Sequence, residues 1–187
     1  MSIDDTLQDA APTQAQAGVQ LWRRPFNERV PMQEQNNVPF AGKPVKLRYM
    51  WRDLERRARR HGLPFKGVPA YPVDPQGLGN RVAFVAEGQG WCRRFVQATY
   101  RHWFVEGGLP GERDGLQRLL VGLDQDPDAV IARAESRAVC AAWQARTDDA
   151  RQLGLFGSPS FVTGDGEVFW GDDRLEDALA WALDPPR

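Results

Sequence analysis

Residues 153–184 read LGLFGSPSFVTGDGEVFWGDDRLEDALAWALD, and their succession of turn, strand and helix signals decides the fold. Leu153-Gly154-Leu155-Phe156-Gly157 leaves a helix, and Ser158-Pro159 leads into a short strand at 160–163. Gly164-Asp165-Gly166 is a strong hairpin turn, with the returning strand at 167–170. Gly171-Asp172-Asp173-Arg174 then opens a final helix carrying Leu175, Leu179 and Trp181. Asp173 and Glu176 are spaced as a capping-box pair at its start. Pro159 can begin a strand only where no ladder bond is asked of its nitrogen.

Immediately upstream, Asp126-Pro127 is a sound helix start, with Asp as N-cap and Pro in the first turn. Val130, Ile131, Ala134, Ala138 and Ala141 are expected to give that helix a buried stripe, and it is predicted to run to about Gln152. Further helices are predicted at about 79–88, 91–106 and 112–122. A Pro/Gly-rich loop over 62–80 precedes them. Before that loop, Leu47, Met50, Trp51, Leu54 and Ala58 follow helical spacing from Lys46 onward. Arg52, Arg56, Arg59 and Arg60 occupy its other faces as a solvated surface. Residues 24–45 hold Pro25, Pro31, Pro39 and Pro44 and are predicted to be an extended loop. Residues 18–23 alternate apolar and polar between Gly18 and Pro25, which predicts a strand.

The 187 residues are 42% hydrophobic and 26% charged, with a net charge of -1, an ordinary soluble balance. That neutrality gives no bulk electrostatic drive toward nucleic acid or an anionic membrane. Apolar runs fall far short of the roughly 20 residues needed to cross a bilayer. The start, MSIDDTLQDAAPTQ, has neither signal-peptide nor transit-peptide character, so a cytoplasmic location is expected. Cys92 and Cys140 are far apart, form no C-x-x-C, and are expected to be buried hydrophobes. This argues strongly against dithiol chemistry, and no Cys/His spacing suits a metal. His61 closes the Arg-rich helix before Gly62, where a cation suits the helix dipole.

The stretch GLFGSPSFVTGDGEVFWGDDRLEDALAWA resembles the C-terminal signature of the 2-hydroxychromene-2-carboxylate isomerases. The likeness continues through KLRYMWRDLERRARRHGLPF, AYPVDP and YRHWFVEGG, and so covers nearly everything from Val19 onward. That family groups with kappa-class glutathione transferases and DsbA-like proteins. The resemblance implies an α/β fold: a thioredoxin-like core from residues 1–42 and 153–187, split by an all-helical insertion at 43–152. It implies a cis Ser158–Pro159 bond, glutathione as cofactor, a small aromatic substrate, and commonly a homodimer. The implied reaction is glutathione-dependent isomerisation of an aromatic-degradation intermediate.

A cis X-Pro turn frees the backbone N–H and C=O of Ser158 to pair with a peptide-like ligand, as in strand addition on a one-residue scale. The last helix's N-terminus can receive a carboxylate, while Asp172 or Asp173 can hold an ammonium. Ser158, Pro159, Asp172 and Asp173 are therefore the expected glutathione residues. Asp74 stands in Tyr71-Pro72-Val73-Asp74 where many family members have Asn, which makes Tyr71 and Asp74 the expected substrate-pocket residues.

The front departs from the family pattern. Members begin with a strand and an F-D-F-x-S-P-x-x-Y-like motif whose serine lies near the glutathione sulfur. This sequence has neither, and its strand at 18–23 matches the family's second. Ser2-Ile3-Asp4 matches nothing around that serine, so the catalytic residue is left unassigned. The strand at 18–23 is then expected to pair directly with 160–163, or to leave an edge open. A start lying further upstream, or a degenerated paralogue, would account for the omission. The alternative function is a non-catalytic thioredoxin-like protein that binds glutathione or a partner chain.

Overall fold

The computed structural model describes residues 18–37, 42–69 and 73–184. Eight α-helices and one two-stranded sheet form among them: α1 (Arg29–Glu34), α2 (Pro44–Arg60), α3 (Leu78–Gly88), α4 (Cys92–Arg101), α5 (Arg113–Gly122), α6 (Pro127–Glu135), α7 (Arg137–Gln152), β1 (Ser160–Val162), β2 (Val168–Trp170) and α8 (Leu175–Leu183). The chain divides into two compact units. Of the described residues, the first unit holds those of Met1–Trp22, Glu28–Asn37 and Thr147–Arg187, and the second those of Arg23–Asn27 and Val38–Arg146.

The second unit is helical, and its core joins α3, α4, α5 and α6 through Val82, Phe95, Leu116, Leu120 and Ile131. Full burial of such side chains contributes about 1.5–3 kcal/mol each. Asp126 caps α6 as its sequence predicts, accepting from the N–H of Asp128 at 3.0 Å and of Ala129 at 3.2 Å. The single helix expected over 127–152 is in fact two, and its expected buried stripe ends at Ala134, since the break leaves Ala138 and Ala141 of α7 exposed. Ser136 takes an extended conformation (φ -62°, ψ 146°). Its hydroxyl donates to the Arg133 carbonyl at 2.7 Å and accepts the Val139 N–H at 3.3 Å, closing α6 and starting α7. A serine that can satisfy both helix ends at once makes the break inexpensive.

α4 passes into a π-helical turn at His102–Glu106, so the predicted helix over 91–106 changes its hydrogen bonding in the last turn. α2 begins two residues ahead of Lys46, with Pro44 in its first turn. It buries only Ala58, and Arg52 and Arg56 pair with Glu55 and Asp53 one turn away, as a solvated face does. His61 is the C-cap of α2.

In the first unit β1 and β2 are antiparallel, with Ser160 opposite Trp170 and Phe161 opposite Phe169. Phe161 packs on Leu175 and Leu179 of α8, and the Phe169 ring meets Trp181 edge-on at 6.0 Å. The indole N–H of Trp181 donates to the Asp165 carboxylate at 2.9 Å, fastening the hairpin tip to the same helix. The strand expected at 18–23 does not form, and among the described residues β1 pairs only with β2. The alternation there nevertheless governs packing, since Val19 and Leu21 both lie against the Leu175–Leu179 cluster. The loop expected at 24–45 is interrupted by α1. Pro31 fits because it lies in the first turn, where its missing N–H has no intrahelical partner to lose.

Candidate functional site

The approach to Ser158 is fixed residue by residue. α7 ends where Gly154 turns left-handed (φ 75°) and the Leu155 N–H returns to the Ala150 carbonyl at 3.0 Å. The Phe156 carbonyl accepts from the Asn37 side-chain amide at 2.9 Å, and its ring meets Trp170 at 5.0 Å. At Gly157 a Cβ would stand 2.5 Å from the indole nitrogen of Trp170, so this contact needs glycine.

The Ser158–Pro159 bond is cis, as the resemblance implies. The Pro159 carbonyl accepts the Gly171 N–H at 3.1 Å, and the Ser160 hydroxyl donates to the Gly157 carbonyl at 2.8 Å. Among the described residues the Ser158 backbone N–H and C=O take no backbone partner. The Pro159–Gly171 bond places the turn beside the 3-10 segment Asp172–Arg174, which precedes α8. Ser158, Pro159, Asp172 and Asp173 are therefore gathered at one end of the hairpin. Asp172 is half-buried and Asp173 is exposed. The capping box does not form. Asp173 pairs with Arg174 at 3.3 Å, and no side chain caps α8, because the intervening 3-10 segment moves the helix start to Leu175.

Glu28 is the residue the sequence did not reveal. It lies just ahead of α1 and is half-buried, with Ser158 near enough to act on its carboxyl. Burial pushes the carboxyl above its ordinary range, against the opposing effects of Ser158 and of Arg29. No local pattern signals it, because the contact joins segments remote in sequence.

Asp74 belongs to the second unit and acts as a helix cap. Its Oδ1 accepts the Leu78 N–H at 2.9 Å and its Oδ2 the Asn80 N–H at 3.2 Å. Tyr71 and Ser2 lie outside the described residues. Cys92 is buried, and burial pushes its thiol up to about 11, so it stays protonated and unreactive near neutrality. Cys140 is only half-buried, because α7 leaves that side partly open to solvent, which corrects the expectation of two buried thiols. No group of His, Cys, Asp and Glu among the described residues could hold a metal ion. No described helix is long and apolar enough to cross a membrane.

The model of the DSBA-like thioredoxin domain matches residues 3–183. The chain belongs to the DSBA-like thioredoxin family. This bears out the fold expected from the sequence, a thioredoxin-like core with a helical insertion. Two curated proteins named 2-hydroxychromene-2-carboxylate isomerase are similar to this DSBA-like chain. The one from Sphingobium xenophagum is 29% identical over 139 residues, which is 74% of this chain and 69% of that protein. The one from Pseudomonas putida is 28% identical over 133 residues, 70% of this chain and 63% of that protein. A solved structure of a 2-hydroxychromene-2-carboxylate isomerase superposes with a TM-score of 0.77 at 23% identity. It covers 94% of this chain and 87% of its own, a likeness of fold.

Proposed function

We propose that this chain is an isomerase of the 2-hydroxychromene-2-carboxylate type, which uses glutathione at the cis-proline turn to act on an aromatic-degradation intermediate. The observation that carries the proposal is the Ser158–Pro159 turn, with the Ser158 N–H and C=O left without backbone partners among the described residues. Those two groups fit the backbone of a peptide-like ligand in extended conformation. Beside them, the half-buried Asp172 and exposed Asp173 offer carboxylates to an ammonium group. When bound, glutathione supplies a thiol that adds reversibly to a conjugated double bond and so permits rotation about it.

The chain's own part is to hold and orient. Ser158 aligns the ligand backbone, and the Gly171 N–H on the Pro159 carbonyl holds the turn at 3.1 Å. Phe156 and Trp170 form an aromatic wall behind Gly157. Glutathione is expected to raise the melting temperature, and 2-hydroxychromene-2-carboxylate is expected to isomerise only when glutathione is present. Stabilisation without turnover supports a glutathione-binding module instead, and the absence of both effects removes glutathione from the account.

A further inference from the structure

The register of the hairpin fixes which way each backbone group of β1 points. The Pro159 carbonyl accepts the Gly171 N–H at 3.1 Å, and the Glu167 carbonyl accepts the Thr163 N–H at 3.1 Å. In an antiparallel ladder bonded pairs alternate with non-bonded ones, so 159 with 171, 161 with 169 and 163 with 167 are the bonded pairs. Ser160 and Val162 fall between them, opposite Trp170 and Val168, and direct their N–H and C=O away from β2. Among the described residues β1 has no second neighbour, so this edge is open. Ser158, just ahead of it, likewise takes no backbone partner among them. Pro159 does not interrupt the edge, because it stands in a bonded pair and the donor it lacks is one for β2.

Exposed edges are commonly guarded by a lysine or an inward-pointing charge, and Ser158-Pro159-Ser160-Phe161-Val162 carries neither. Both faces beside the edge are apolar. On one, Phe161 packs on Leu175 and Leu179 of α8, a cluster that Val19 and Leu21 also reach without pairing with β1. On the other, Val162 and Trp170 are 40% and 49% exposed. We propose that the edge from Ser158 to Val162 docks an extended segment of another polypeptide, which adds to β1 as a strand. Its recognition is by backbone pairing at Ser160 and Val162, and the apolar faces select a segment with uncharged, alternately apolar side chains. This goes beyond the glutathione reading and does not rest on it, since Ser160 and Val162 lie past the residue which that reading uses.

The test is amide hydrogen exchange of the full chain, read residue by residue by NMR. The probe is a capped peptide of about eight residues, alternating threonine and valine with a lysine at each end, long enough to span the edge. In the chain alone the Ser160 and Val162 amides are expected to exchange fast while Phe161 and Phe169 are protected by the ladder. Saturating peptide is expected to slow Ser160 and Val162 by about tenfold or more, and the same peptide N-methylated at every threonine and valine is expected to leave them unchanged. Val162→Pro removes a donor from the open edge only, so the hairpin is kept and the peptide binds about tenfold more weakly. Val162→Lys places a charge on the edge with the same effect, and carries the test if Val162→Pro does not fold. Equal binding of the peptide and its N-methylated form, or of the peptide to wild type and both variants, would overturn the proposal, as would no protection at Ser160 and Val162. Slow exchange at these amides in the chain alone also overturns it, because the edge is then already covered, by a second copy where protection rises with protein concentration.

Discussion

Replacing Asp74 by alanine separates a structural carboxylate from a substrate-binding one. The N-cap of α3 is Gly77, which has no side chain to satisfy the first amides of the helix. Asp74 does so from three residues earlier, through Oδ1 to Leu78 at 2.9 Å and Oδ2 to Asn80 at 3.2 Å. Loss of an N-cap side chain costs about 0.5–2 kcal/mol, and a hydrogen bond to a charged group contributes about 1.5–3 kcal/mol. Leu78 is buried, so water replaces its partner poorly, and a total near 2–3 kcal/mol is expected. At about 2–4 °C per kcal/mol for a chain of this size, the melting temperature should fall by about 4–12 °C. Thermal and urea unfolding followed by circular dichroism measure this directly. Asp74→Asn keeps one carbonyl acceptor and should lose roughly half as much. A loss below about 0.5 kcal/mol, the range of ordinary surface substitutions, would refute the capping role. In that event, a raised KM would return Asp74 to the substrate pocket.

Gly111→Ala should be destabilising, because its Cβ would overlap Asp74 Oδ1 and lie 2.9 Å from the Asp74 Cα. Combined with Asp74→Ala it should cost less than the sum of the two, as a double-mutant cycle in urea would show. Ser136→Ala should lose about 1 kcal/mol by removing the hydroxyl shared by α6 and α7, measured by the same unfolding curves. Cys92 should give stability an alkaline slope. Its thiol is raised from 9.0 to about 11 in the folded chain, so the native state holds the proton that the unfolded chain releases. Unfolding free energy should therefore fall by about 2–3 kcal/mol more between those two values in wild type than in Cys92→Ala. In thiol labelling at neutral pH, Cys140 should react while Cys92 stays protected until unfolding.

Helices governed by local chemistry were legible, and those governed by a partner were not. Asp126-Pro127 announces α6 because the cap and the first turn are adjacent in sequence. The break at Ser136 is hidden, because Val130, Ile131 and Ala134 continue as one apolar stripe into Ala138 and Ala141 of the next helix. α1 is masked by Pro31, which reads as a breaker unless its place in the first turn is known. The alternation at 18–23 carried real information, since Val19 and Leu21 do face the core of their unit. Alternation fixes which side chains point inward, whereas a ladder needs a neighbouring strand with free amides in register.

The same division runs through the site. That Ser158 and Pro159 lie beside Asp172 and Asp173 was legible in the sequence, because the hairpin between them is short and its turn residues fix the register. The burial of Glu28 was not, since nothing in Phe26-Asn27-Glu28-Arg29 distinguishes a carboxylate facing solvent from one that packing partly covers. Asp74 had the opposite difficulty: its position matched a family pattern, yet an aspartate just ahead of a helix serves equally well as a cap. Short-range motifs therefore locate the turn at which the Ser158 N–H and C=O take no backbone partner among the described residues. The burial that raises the Glu28 carboxyl is set by packing between segments remote in sequence, which no local pattern carries.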